Sequence, residues 1–170
     1  MKALVIYFSR ADENYFGGSM RYIEKGNTEV VAEHIADITG ADLFKVERKV
    51  PYSKDYMACI KEAQIEQNKG ERPELVAYLD DIGGYDVVFI GAPIYWGTMP
   101  QPMFTELERL DFHGKTVMPF TTHEGSGLAN VVRDIEKIAI GATVKPGLAI
   151  LGSSVGSSRD KVQRWIKDNI

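Results

Sequence analysis

Three clusters of small polar, glycine and aromatic residues carry most of the chemistry that this chain of 170 residues could perform. The first is Ser9 together with Gly26-Asn27-Thr28. Hydroxyls and an amide at a helix start, with a glycine that lets backbone approach closely, form a neutral cradle for phosphate. The same residues also suit an N-cap behind a flexible loop. The second cluster is Gly91-Ala92-Pro93-Ile94-Tyr95-Trp96-Gly97-Thr98-Met99-Pro100. Two adjacent large aromatics bracketed by Gly and Pro belong on a surface loop. There a fixed ring can stack on a flat ring system or form an interface patch. The third is Thr121-Thr122-His123-Glu124-Gly125-Ser126-Gly127, a polar turn able to bond the heteroatom edge of a ligand or to cap a following helix.

Competing motifs fail on their context. Gly152-Ser153-Ser154-Val155-Gly156 fits a nucleophile elbow, but that chemistry needs an acid and a histidine downstream, and His34, His113 and His123 all lie upstream. Gly114-Lys115-Thr116 resembles the end of a P-loop, yet Arg109 stands where the motif needs Gly and the segment leads into a strand. No G-x-G-x-x-G is present, which argues against a dinucleotide fold. Cys59, the sole cysteine, permits no internal disulfide and no cysteine metal cluster, and without a neighbouring His it reads as a passive thiol. His34 is expected to be solvated on a helix face, and His113 to lie in a turn. His123 either touches a ligand or lines the loop. No spacing suggests a metal.

The elements that must position these clusters follow from hydropathy. Continuous apolar runs at Ala3 to Phe8, Tyr85 to Ile90, Thr116 to Phe120 and Leu148 to Leu151 read as strands covered on both faces, as helices cover a parallel sheet. Asp42 to Glu47 is more polar and suits an edge strand. Helical patterns lie over Asn27–Thr39, Pro102–Leu110, Gly127–Ile140 and from Ser157 or Ser158 to the end. A further helix is expected over Glu74–Ile82, and an extra one over Asp55–Lys69. Alternating strands and helices imply an α/β, doubly wound parallel sheet with right-handed crossovers. Residues 10–26 form an unusually long connection at the carboxyl end of the first strand, a place where long loops are functional. In such a sheet ligands bind beyond the carboxyl ends of the strands, which is where all three clusters fall.

Composition narrows the class. With 44% hydrophobic and 26% charged residues the chain can build a core, and its length favours one domain spanning 1–170. A formal charge of −4 lacks the basic footprint of a nucleic-acid binder. No stretch approaches the ~20 apolar residues that span a bilayer, and the first apolar run is too short for a signal peptide, so membrane insertion is not expected and a cytoplasmic location is.

The ordered set Ser9 plus Gly26-Asn27-Thr28, Gly91 to Gly97, and Thr121 to Gly127 resembles the flavodoxins and flavodoxin-like FMN proteins, over essentially the whole chain. The resemblance implies a five-stranded sheet of order 2-1-3-4-5 holding FMN non-covalently. Ser9, Asn27 and Thr28 would hold the phosphate, with Gly26 opening the turn. Thr122 and the backbone of Pro93, Ile94, Tyr95 and Trp96 would contact ribityl and ring. Tyr95 or Trp96 would cover one ring face, and Gly97 would sit near flavin N5. Arg10, Thr121, His123, Gly125 and Gly127 complete the candidate cofactor-binding set, and no protein side chain is assigned a catalytic role.

Three features depart from the typical pattern. The 10–26 insertion splits the phosphate loop, the turn after the fourth strand lacks a stacking tyrosine, and the formal charge of −4 is weaker than the acidity usual for the family. The implied activity is low-potential electron transfer between redox partner proteins, a reductase and an acceptor. An FMN-dependent NAD(P)H oxidoreductase of quinone-reductase type is the alternative, with Arg10, Arg21 and Lys25 as phosphate-binding charge. A non-redox regulatory module stands behind both.

Overall fold

The computed structural model describes residues 1–170. Its strands are β1 (Ala3–Tyr7), β2 (Asp12–Phe16), β3 (Ser19–Ile23), β4 (Asp42–Lys45), β5 (Val87–Pro93), β6 (Thr116–His123), β7 (Thr143–Val144) and β8 (Leu148–Leu151). Its helices are α1 (Asn27–Thr39), α2 (Tyr56–Asn68), α3 (Gln101–Leu107), α4 (Val131–Ile138) and α5 (Arg159–Asn169), with a 3-10 helix over Gly152–Ser157.

The main sheet runs β4-β1-β5-β6-β7, with β8 also on β6, and every pairing is parallel. β7 and β8 occupy successive halves of one edge of β6, Thr116–Val117 and Phe120–His123. Pro146, which has no N–H to donate, and Gly147 interrupt what is in effect a single fifth strand. The expected order 2-1-3-4-5 is therefore realised.

Alternation along the strands divides the core between two faces. On β1, Leu4 and Ile6 join α2, α3 and α4 through Cys59, Met103, Leu107 and Ile135. Ala3, Val5 and Tyr7 join α1 and α5 through Val31, Ile35, Val162 and Trp165. Helices on both faces of a parallel sheet explain why its strands read as unbroken apolar runs. No helix is long and apolar enough to cross a membrane.

Three expectations require correction. Residues 10–26 are not an open loop: β2 and β3 form an antiparallel hairpin joined by Gly17 and Gly18, both at positive φ, as a two-residue turn between strands requires. Residues Glu74–Ile82 are not helical. Val76 N–H donates to the Glu47 carbonyl (2.9 Å), Lys49 N–H to the Glu74 carbonyl (2.9 Å) and Leu79 N–H to Glu106 Oε1 (2.8 Å), so this backbone is satisfied across the chain while Leu75 and Ile82 enter the core. The helix expected over Gly127–Ile140 begins later, at Val131, because Gly127 and Ala129 both take positive φ.

Candidate cofactor site

A cavity of about 330 Å³ opens at the carboxyl ends of β1, β5 and β6, a volume within the range of small-molecule pockets. The three clusters meet there. Asn27 and Thr28 come from the start of α1, Pro93 to Trp96 from the end of β5, and Thr122, His123, Glu124 and Ser126 from the end of β6. A wider groove of about 490 Å³ at the opposite rim, near Lys115 and Lys145, has none of these features.

The corner expected to take phosphate is built by contacts across the sequence. α1 has no side-chain cap of its own, and Ser9 Oγ accepts from the Glu29 N–H (3.0 Å) instead. Gly26 lies against this serine so closely that a Cβ there would sit 2.1 Å from Ser9 Oγ and 2.8 Å from the Arg10 carbonyl oxygen. Thr28 Oγ1 and Thr122 Oγ1 are 2.7 Å apart and buried, tying the helix start to the end of β6. The first amides of a 13-residue helix, with its positive dipole end, lie in this corner.

The two aromatics do different things. Tyr95 turns inward, edge-on to Phe8 (5.7 Å between centroids) and Tyr52 (5.9 Å), and burial raises its phenol well above the ordinary range. Trp96 is 48% exposed and takes φ +53°, followed by Gly97 at φ +83°, a tight turn closed by the Tyr95 N–H to the Thr98 carbonyl (2.7 Å). Left-handed backbone at a non-glycine costs roughly 1–2 kcal/mol. Trp96 is held there by its indole N–H on the Ile60 carbonyl (2.9 Å) and by Gln67 Nε2, which donates to the carbonyls of Tyr95 and Trp96 (3.2 Å each).

Of the remaining expected residues, Ser9, Gly26, Gly97, Thr121, Gly125 and Gly127 do not form the cavity wall. Thr121 is fully buried and closes the turn by donating to the Gly127 carbonyl (2.9 Å). His123 does line the cavity. Its Nδ1 accepts from the Gly125 N–H (2.9 Å) and desolvation lowers its pKa, so the ring is neutral at pH 7 with Nε2 protonated. His34 is not solvated: it is half-buried, with Nε2 donating to the Val155 carbonyl (3.1 Å).

Sequence reasoning missed the roof. The hairpin and α2 contribute Asn14, Tyr15, Tyr56, Cys59, Ile60 and Ala63 to the wall. Glu13 Oε1 accepts from the Tyr56 N–H (2.9 Å), and the Tyr15 and Tyr56 rings meet edge-on at 5.0 Å. The Gly17-Gly18 pair was the signal for the hairpin, but nothing local announces that it docks on α2. Cys59 lies 2% exposed on the cavity-facing side, its Sγ 3.9 Å from the Tyr95 hydroxyl. Burial pushes this thiol up, against the opposing charge of Arg10. A thiol-reactive dye at pH 8 is expected to label Cys59 at least about tenfold more slowly than a free thiol, since only the thiolate reacts; labelling at the free-thiol rate would contradict its enclosure.

Comparison with known proteins agrees with this geometry. The sequence profile of the flavodoxin family matches residues 15–169. A flavoprotein structure from Bacteroides eggerthii DSM 20697 is 28% identical, covers 99% of this chain and 97% of its own, and superposes with a TM-score of 0.77. One from Bacteroides uniformis ATCC 8492 is 27% identical over 98% and 97%, with a TM-score of 0.75. The fold is shared with a flavoprotein from Lactobacillus acidophilus NCFM solved in complex with FMN, 24% identical over 94% and 97%, TM-score 0.63. No curated protein sequence matches the chain. With its parallel sheet, its rim of three loops and a profile match over nearly its whole length, the chain belongs to the flavodoxin family.

Proposed function

We propose that residues 1–170 act as one FMN-binding domain that transfers electrons between redox partner proteins. The observation that carries this reading is the convergence of an α1 N-terminus, an aromatic turn and a polar turn around one cavity.

The residues present fit the group. The amides of Asn27 and Thr28 and the Thr28 hydroxyl would hold a phosphate dianion at the helix start. Gly26 leaves that approach open, because no Cβ fits between it and Ser9. Trp96, Ile60 and Ala63 offer apolar surface for a flat ring. Thr122 and the protonated Nε2 of neutral His123 offer polar groups for its edge. When bound, FMN supplies the redox chemistry, and the protein supplies binding, orientation and electrostatics. The half-exposed Trp96 rim is where partner proteins would approach, through the small, transient contacts of redox encounters.

The test is spectroscopic. The FMN-loaded protein, reduced with dithionite, should pass electrons rapidly to a one-electron acceptor such as cytochrome c. It should be reduced only slowly by NADH or NADPH. Rapid bleaching of the flavin by either nicotinamide would overturn the carrier reading in favour of an NAD(P)H oxidoreductase.

A further inference from the structure

Arg10 is the single fixed positive charge among the side chains lining the cavity, since His123 is neutral. Its guanidinium is clamped. Nη1 donates to the Glu13 carbonyl, and Nη2 donates to the carbonyls of Ser53 and Lys54 (2.8 Å each), so the hairpin and the segment leading into α2 hold it in place. Its Nε is buried and has no hydrogen-bond partner. A buried, charged donor left unmade is costly. The protein itself walls in this Nε while the cavity is empty, so what the cavity meets is the charge of the guanidinium.

The direction of this charge can be read from its neighbours. Arg10 acts on Cys59, Tyr95 and Tyr56, each time opposing the rise that burial imposes on them. These residues belong to α2 and the aromatic turn, not to the Gly26-Thr28 corner. Glu124, the one carboxylate on the wall, lies beside Asn27, both close to Gly152, and its charge also reaches Tyr56, against that of Arg10.

Resting on the FMN reading, we propose that Arg10 is a tuning residue for the flavin ring, acting through the charge of its clamped guanidinium. A flavin ring that takes up two electrons and one proton carries a negative charge. A fixed cation clamped against it favours that state over the neutral oxidised ring, because Coulomb attraction is strong in a partly dry cavity. The cavity therefore holds reduced FMN more tightly than oxidised FMN, relative to the same cavity without the charge. Two-electron uptake is favoured accordingly.

The experiment compares the holo-protein with Arg10→Gln and Arg10→Lys, each loaded with FMN or with riboflavin. Midpoint potentials are read against a reference dye and affinities by flavin fluorescence. Arg10→Gln should weaken binding of the reduced form about tenfold more than of the oxidised form. That is a fall of about 30 mV in the two-electron potential, and it should be equal for FMN and riboflavin. Arg10→Lys, which keeps the charge and loses the clamp on the guanidinium, should fall by less. An unchanged potential in both variants would overturn the proposal. So would a loss of FMN affinity with riboflavin unaffected, which would place Arg10 on the phosphate. In the unmutated protein the Arg10 Nε–H resonance should shift on adding FMN, as a ring placed beside the guanidinium requires, and a stationary resonance would overturn the proposal without recourse to variants. Failure of the unmutated protein to bind FMN would instead sink the functional reading.

Discussion

Gly26→Ala is expected to weaken FMN binding about 100-fold while riboflavin binding falls by less than about threefold. The new methyl would stand 2.1 Å from Ser9 Oγ and 2.8 Å from the Arg10 carbonyl oxygen. The serine hydroxyl can rotate away, but the carbonyl is backbone and cannot. The end of β1 must then separate from the start of α1. That movement breaks the Ser9 cap on the Glu29 N–H (3.0 Å) and displaces the amides offered to phosphate. A 100-fold loss corresponds to about 2.7 kcal/mol, comparable to one or two charge-assisted hydrogen bonds. Riboflavin lacks the phosphate and serves as the control. Parallel fluorescence titrations decide the matter: equal losses for the two flavins would reduce Gly26 to a packing position.

Gly91→Ala acts on stability instead. Gly91 on β5 faces Phe120 on β6 in direct register, and the Phe120 ring, wholly buried, lies over the glycine. A Cβ at Gly91 would fall 2.0 to 2.4 Å from three ring carbons. The ring has nowhere to go, since Tyr7, Ile150 and Val155 fill the same core. Overpacking of this kind costs about 3 kcal/mol or slightly more, which for a chain of this length lowers Tm by roughly 6–12 °C. The companion Phe120→Leu should relieve most of the clash, so that the double variant is markedly more stable than the sum of the singles predicts. Additive losses in thermal unfolding would show that the clash is not between these two side chains.

What the sequence made legible was set by short-range rules. Unbroken apolar runs announced a sheet covered on both faces, and the polar Asp42–Glu47 announced its edge strand, β4. The three loop clusters could be placed at one rim because every strand of a parallel sheet presents the same end there. The extended path of Glu74–Ile82 was hidden, because Leu75, Leu79 and Ile82 repeat at helical spacing. What decides their conformation is a set of partners, Glu47, Lys49 and Glu106, that lie far away in the chain. The same holds for the site. Ser9, Asn27 and Thr28 stood out as types, yet the use of Ser9 as a cap for another segment's helix is a tertiary fact. Tyr95 and Trp96 looked interchangeable in sequence. Phe8 and Tyr52 draw the first inward, and the positive φ of the turn throws the second outward. The roof from the hairpin and α2, and with it Cys59 and the clamp on Arg10, depends on docking that leaves no periodic trace.

The placement of the ligand is the claim on which the rest depends, and a crystal structure of the chain with FMN tests it most directly. One FMN per chain is expected, its phosphate on the Asn27 and Thr28 amides, its ring against Trp96 and beneath the hairpin, and its edge toward Thr122 and His123. Density for FMN in the groove near Lys115 and Lys145 at the opposite rim, or an FMN lying outside the cavity with its phosphate away from α1, would contradict it.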